Sequence, residues 1–351
     1  MPIRTWQDAW QEALYGTGGF YRRPGGPVEH FRTSVHASGL MAEAVLRLLE
    51  RLDQEMNHPE VLDLVDLGAG RGELLLAAAA RAQEHPALAE RLRMTGVDLV
   101  SRPDGLPQRI AWRNELPTSI TGLLFAHEWL DNVACPVVEQ HSDGTARTVL
   151  VDSRSGHEQL GRPLAAEEQN WLNTWWPLAE PRTRAEIGLP RDLAWTGALS
   201  SIESGVAIAV DYGHLRGGRP PFGSLAGFTS GRSVDPVPDG SCDLTAQVAF
   251  DAIQEAGQQA TGAVAALLRQ RQVLHALGIE GRRPPRDLAS ADPAAYLRAL
   301  ALAGEAGELT DRSGLGSFYW LLQPVSLAKD WSKGLTLTST GPAYLNGYRR
   351  T

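Results

Sequence analysis

Cysteine and lysine are nearly missing from this chain of 351 residues: Cys135 and Cys242 are its thiols, Lys329 and Lys333 its lysines. Two cysteines so far apart make neither a disulfide framework nor a CxxC metal site, so a reducing cytoplasm is the expected compartment. No lysine stands in a phosphate-binding GxxxxGK turn and no serine in a GxSxG elbow. His30, His36, His127 and His214 lack the spacing of HExxH. NTPase, hydrolase and metal-centred readings therefore want their required parts. No apolar run approaches the roughly 18 residues of a membrane span, and MPIRTWQDAW has no apolar signal core. Positive charge is short too: 33 Lys and Arg against 41 Asp and Glu leave a formal charge of −8. That balance argues against a nucleic-acid surface and suits a neutral or cationic substrate.

What is present is a sizeable core, 43% of residues being hydrophobic, and a recurring pattern of apolar strands that end in an acid. Helical spacing is found at 5–15 and 39–52, with a glycine- and proline-rich stretch between. Strand candidates follow at 61–67, 94–100, 121–128, 135–152 (as a hairpin) and 205–213. Strong helix formers at 73–84 complete a strand–turn–helix unit. Alternating strands and helices predict an α/β, Rossmann-like sheet whose ligands sit at the carboxyl ends of the strands, where Asp66, Asp98, Glu128 and Asp211 fall. Residues 1–57 are expected to form N-terminal helices and a loop covering a cofactor, 58–325 the main domain, and 326–351 a loose tail. Trp171, Trp175 and Trp176 lie at helical spacing in a segment read as a helical cap inserted at about 155–200. Helices are expected at 243–256 and 262–277, with Asp243 as N-cap of the first, and a last strand near 316–323.

The turn VDLGAGRGELL carries the chemistry. Gly68, Gly70 and Gly72 let the backbone bend tightly and approach a ligand at a helix N-terminus. A dinucleotide fingerprint, G-x-G-x-x-G/A, requires a small residue at position 73, but Glu73 stands there. A carboxylate repels a pyrophosphate, and Asp66 adds to the negative field. S-adenosylmethionine has no phosphate and brings a sulfonium and an ammonium group, so the acidic turn favours it. Asp98, ending the next strand, is placed to accept from both ribose hydroxyls. Glu128 and Asp131 at one strand end, and Asp211 with Tyr212 at another, are candidates for orienting a methyl acceptor and taking its proton. A helix-capping acid pair is the structural alternative for Glu128 and Asp131. Phe20 and Tyr21 are read either as core or as a cover on the cofactor or acceptor.

Six stretches in order, FRTS (31–34), DLGAGRGEL (66–74), HEWLDNVACPVV (127–138), AVDYG (209–213), DLTAQVAF (243–250) and LGSFYWL (315–321), resemble the MidA family of S-adenosylmethionine-dependent methyltransferases. DLTAQVAF is the most particular of them. The resemblance spans most of residues 15–323 and implies a class I methyltransferase fold. It implies cofactor contacts from Thr33, Ser34, Asp66, Gly68, Gly70, Gly72, Asp98 and Glu128. Because the family includes a mitochondrial complex I assembly factor that methylates a protein arginine, it also implies an arginine acceptor on a protein partner. Four departures stand out: His127 replaces an Asn, one extra residue precedes Pro136, the segment after the second strand is shortened to VDLVSRPDGLPQRIAW, and the N-terminal stretch reads EHFRTSVHAS, with the acid before Phe31 displaced. They leave a non-catalytic assembly protein, or a small-molecule methyltransferase, as the alternative.

Overall fold

The computed structural model describes residues 3–22 and 39–327. Thr33 and Ser34 lie outside the described residues. Strand β1 (Arg4–Thr5) leads into α1 (Trp6–Tyr15), whose first turn is capped by the Thr5 hydroxyl accepting from the Asp8 amide. Trp6, Trp10 and Leu14, spaced by one turn, form its buried face. Helix α2 (Gly39–Glu55) precedes the first strand of the main sheet, β2 (Leu62–Leu67). Every residue of β2 is buried, as a strand covered on both faces requires.

The turn after β2 opens α3 (Glu73–Ala82), and a one-turn α4 (Pro86–Ala89) leads to β3 (Leu92–Val97). Strands β4 (Ile110–Arg113) and β5 (Ile120–His127) follow. The chain then leaves the main sheet for β6 (Val137–Gln140), β7 (Ala146–Val151), β8 (Glu158–Pro163), α5 (Ala166–Trp175) and β9 (Arg184–Glu186). With β1 these strands make a separate five-stranded sheet whose pairings are all antiparallel. The stretch read as a helical cap thus holds two strands as well as helices. It is the outer part of a mixed insertion that begins at β6. Trp171 and Trp176 are buried within it, and Trp171 Nε1 donates to Asp192 at 2.7 Å.

Helix α6 (Leu189–Leu199) returns the chain to the main sheet at β10 (Ile202–Asp211). Five short strands come next: β11 (Gly213–His214), β12 (Ala226–Thr229), β13 (Arg232–Val234), β14 (Asp243–Thr245) and β15 (Val248–Ala249). Two sequence expectations fail here. Asp243 is not a helix cap: Asp243, Leu244 and Thr245 pair antiparallel with β12, and the helix α7 (Phe250–Thr261) starts at Phe250. Residues Ala266–Arg269 are not helical either. They form β16 along β17 (Tyr319–Val325), a long-range pairing that overrides the helix-forming character of ALLR. Between these two strands lie α8 (Gln270–Ala276), α9 (Arg286–Ala291) and α10 (Pro293–Leu309).

The main sheet has seven strands in the order β16-β17-β10-β5-β2-β3-β4. β4, β3, β2, β5 and β10 are parallel, and β17 runs antiparallel to both β10 and β16. One apolar layer, including residues of α2, α3, α8 and α10, covers one face, and another, including Trp195 of α6 and Phe250 of α7, covers the other. This is the expected Rossmann-like arrangement. The chain order reverses between β2 and β5, so the crevice at their carboxyl ends is where such a sheet holds its ligand. Among the described residues, no helix is long and apolar enough to cross a membrane.

Candidate active site

Strand register sets the site. Asp66 lies opposite Gly96 on β3 and Phe125 on β5, so Asp98 and Glu128, just past their strands, reach the same sheet edge. Gly68, Gly70 and Gly72 all have φ between +57° and +78°, the left-handed region where glycine is at home. At Gly70 an added Cβ would meet nothing within 4 Å, so the turn presents bare backbone to open space. Gly68 is backed by Trp129, 3.1 Å from where a Cβ would sit, while Leu106 and Trp112 back Gly72. Asp98 braces this turn: one carboxylate oxygen accepts from the Gly70 amide at 2.8 Å, the other from Val100 at 3.0 Å. The Leu99 amide also bonds this carboxylate, which keeps acceptor capacity for a ligand hydroxyl.

Asp66 is buried below the turn. Its carboxyl is pushed up to about 8 by burial first, then by the charges of Asp98 and Glu73. A cation placed beside it would favour its ionised form. Glu128 has φ +49°, unusual for a side chain of this kind, and its amide donates to Val210 at 2.8 Å. Strained backbone of this sort costs on the order of 1–3 kcal/mol and gathers at functional sites. His127 Nδ1 lies 3.4 Å from Glu128 Oε1, and its ring stacks on Phe125.

A second cluster adjoins the first. No helix follows β5, so Glu128 and Asp131 are not a helix-capping pair. Asp131 Oδ2 accepts from Tyr212 Oη and from Thr245 Oγ1, both at 2.8 Å, and the two hydroxyls also contact each other. Asp211 turns away from the cleft. It accepts from the amides of Asp131 at 3.1 Å and Tyr212 at 3.0 Å, and so ties the loop after β5 to the end of β10. Burial raises both carboxyls, Asp211 well above the usual range with Asp131 as the next cause.

Of the remaining members the sequence points to Tyr21, as core or cover, but not to Tyr15, and it reads Asp243 as a helix cap. Asp243 faces Asp131, is raised to about 8 by burial and then by that neighbour, and is hydrogen-bonded by Tyr21. Tyr21 stacks on Tyr15 at 5.5 Å, and Tyr15 Oη donates to the Asn132 carbonyl at 3.5 Å. Phe20, by contrast, is a buried core residue in edge contact with Tyr21. Three buried acceptor atoms, Asp131 Oδ1, Asn132 Oδ1 and Asp243 Oδ1, have no hydrogen-bond partner. The cluster is thus acidic, with a stacked tyrosine pair beside it. The pairing of Asp243–Thr245 with Ala226–Phe228 brings Asp243 here, and it is not visible as a local pattern. The rings of Trp175 and Trp176 are covered by Arg216 and Arg219 of this chain. Among the described residues, no group of His, Cys, Asp and Glu is arranged to hold a metal ion.

Comparison with known proteins agrees with this geometry. Residues 40–268 match the model of a family described as "Putative S-adenosyl-L-methionine-dependent methyltransferase". No curated protein matches. Among solved structures, a protein of Burkholderia thailandensis bound to S-adenosyl-homocysteine superposes with a TM-score of 0.76 at 24% identity, over 93% of this chain and 89% of that one. A native structure of an uncharacterized protein of the same superfamily and organism gives 0.75 at 23% identity, over 93% and 88%. Both share the fold. The family match covers well over half of the chain, so the protein belongs to this family, to which the MidA resemblance also led, and is an S-adenosylmethionine-dependent methyltransferase.

Proposed function

We propose that this methyltransferase acts on a guanidinium group, an arginine side chain presented by a protein partner. The observation that carries the reading is the set of three buried acceptor oxygens on Asp131, Asn132 and Asp243, without donors of their own, beside the Tyr15–Tyr21 pair. A buried acceptor left unsatisfied costs about 1–3 kcal/mol, more if charged. A planar cation with five N–H donors and no acceptor supplies what those oxygens lack. A neutral hydroxyl or a carboxylate acceptor does not.

On the cofactor side, Gly68, Gly70 and Gly72 offer backbone, Asp98 the ribose contacts, and Asp66 a carboxylate for the ammonium. Glu128 stands between the two halves, and Thr33 and Ser34 keep their place in this proposal through the family resemblance alone. The bound cofactor supplies a methyl group activated by its sulfonium. The protein aligns the acceptor nitrogen, excludes water and receives a proton. Alignment of this kind is worth on the order of 7–11 kcal/mol. Asp131 is the group proposed to hold the guanidinium and take the proton, with Tyr212 and Thr245 fixing its other oxygen. Asp211 orders the loop.

The test is transfer of labelled methyl from S-adenosylmethionine to short peptides that differ only in arginine, lysine or citrulline. Label in the arginine peptide alone is expected. Equal labelling of the citrulline peptide, which has the shape without the charge, would discard the guanidinium reading.

A further inference from the structure

Arg191 is almost wholly buried, 2% exposed, yet among the described residues no carboxylate forms a salt bridge with it. Its guanidinium is spent on four main-chain carbonyls. Nη2 donates to Asp131 at 2.9 Å and Ala246 at 3.0 Å, Nη1 to Gln247 at 2.8 Å, and Nε to Val133 at 3.3 Å. Those carbonyls belong to two segments far apart in the chain: the loop after β5 that carries Asp131, and the turn between β14 and β15 that follows Thr245. Arg191 itself comes from the first turn of α6, at the end of the insertion. Its other face lies over the Trp10 ring at 6.0 Å, and Trp10 Nε1 donates to the Leu244 carbonyl at 2.8 Å. A cation buried at this depth is costly, and hydrogen bonds to carbonyls alone do not neutralise it. Its field works against burial on the acids around it, favouring the ionised forms of Asp131, Asp211 and its sequence neighbour Asp192. Cys135 and His214 also feel its field.

We propose that Arg191 is a positioning residue for methyl transfer: it clamps the Asp131 loop to the Thr245 turn, so that Asp131 is held as an anion with Oδ2 bonded and Oδ1 left for the acceptor. Only arginine does this. The planar fork reaches four carbonyls at once, whereas a lysine ammonium in the same place keeps the charge and loses most of the bonds. Geometry and charge are therefore separable by substitution. The inference rests on Asp131 facing the acceptor, as proposed above, and adds what holds it there.

The experiment uses the full chain labelled with carboxyl-13C aspartate, with S-adenosylhomocysteine bound and the Asp131 signal assigned from Asp131→Asn. Arg191→Gln should raise the Asp131 titration midpoint by about one unit or more, and Arg191→Lys should leave it close to the parent value. Turnover of an arginine peptide should fall at least about tenfold in both variants, in kcat more than in KM, while the affinity for S-adenosylhomocysteine stays within about twofold. An unshifted Asp131 titration in folded Arg191→Gln overturns the proposal. If that variant fails to fold, parent-like turnover in Arg191→Lys overturns it instead. The titration needs no acceptor, so it still decides if the arginine reading fails and the peptide is not methylated by the parent protein.

Discussion

The two halves of the cleft are built in opposite ways. Apart from Thr33, Ser34 and the shared Glu128, the proposed cofactor half comes from one continuous stretch, Asp66 to Trp112, and its main instrument is backbone: three left-handed glycines, and amides held by Asp98. The proposed acceptor half comes from five segments, around Tyr15–Tyr21, Glu128–Val133, Arg191, Asp211–Tyr212 and Asp243–Gln247. Its main instrument is buried side-chain charge. The first half rests on the order of this stretch, with Trp129 and strand β5 packed against it. The second exists only when the insertion, the N-terminal helix and the β12–β14 pairing have all assembled, so its defects should act on acceptor chemistry and spare cofactor binding.

The sharpest way to break this comparison is Asp131→Asn. It keeps the shape and the bonds from Tyr212 and Thr245 but removes the charge and the proton-accepting capacity. Turnover of an arginine peptide should fall by about 10²–10⁴, the range for loss of a positioned acid or base, with S-adenosylhomocysteine affinity unchanged by calorimetry. A parallel loss of both would mean that the halves are one unit. The converse change, Asp98→Ala, removes the ribose acceptor and unties the Gly70 amide. Hydrogen bonds to a charged group are worth about 1.5–3 kcal/mol, so cofactor affinity should weaken by about 100-fold or more. The Asp131 titration should stay where it was.

These contrasts also explain what the sequence disclosed. VDLGAGRGELL could be read for its cofactor because its information is local: glycine where φ must be positive, an acid where a phosphate would have docked. The sheet was legible for the same reason, from apolar runs ending in Asp66, Asp98, Glu128 and Asp211. Asp243 was misread as a helix cap because Asp-Leu-Thr before an amphipathic stretch has that local signature, and its pairing partner is Phe228, fifteen positions away in sequence. Arg191 gave no signal. An arginine two residues into a helix is ordinary, and that its charge is buried under Asp131 depends on contacts about 60 residues distant. Asp211 sits where expected, but both oxygens are used on backbone amides.

A smaller effect distinguishes the halves by protons. Asp66 rests near 8 because of burial, so around pH 7 it is mostly protonated, and a ligand ammonium beside it must displace that proton. Between about pH 6 and 7, affinity for S-adenosylhomocysteine should rise by up to about tenfold per unit, with close to one proton released per ligand. Calorimetry in buffers of different ionisation enthalpy measures this directly, and Asp66→Asn should abolish the release. If the release persists in that variant, another group on the cofactor side is titrating.

The least dramatic change tests whether the insertion serves the acceptor half alone. Trp171→Phe deletes the 2.7 Å bond to Asp192, the residue beside Arg191, whose other oxygen already lacks a partner. Losing the bond should cost about 1–2 kcal/mol of stability and leave cofactor affinity intact. The pH dependence follows from the sign of the shift. Asp192 is raised from 3.8 to about 7 by burial, so ionising it works against folding as pH climbs from about 4 through 7. The Trp171 N–H opposes that shift by stabilising the anion. Without it the midpoint moves higher still, and the penalty extends into alkaline solution. Denaturant unfolding of the variant and its parent should therefore diverge more at pH 9 than at pH 5, where Asp192 is protonated in both. Equal divergence at the two values would mean that the indole N–H contributes through packing around Trp171 and not through the charge of Asp192.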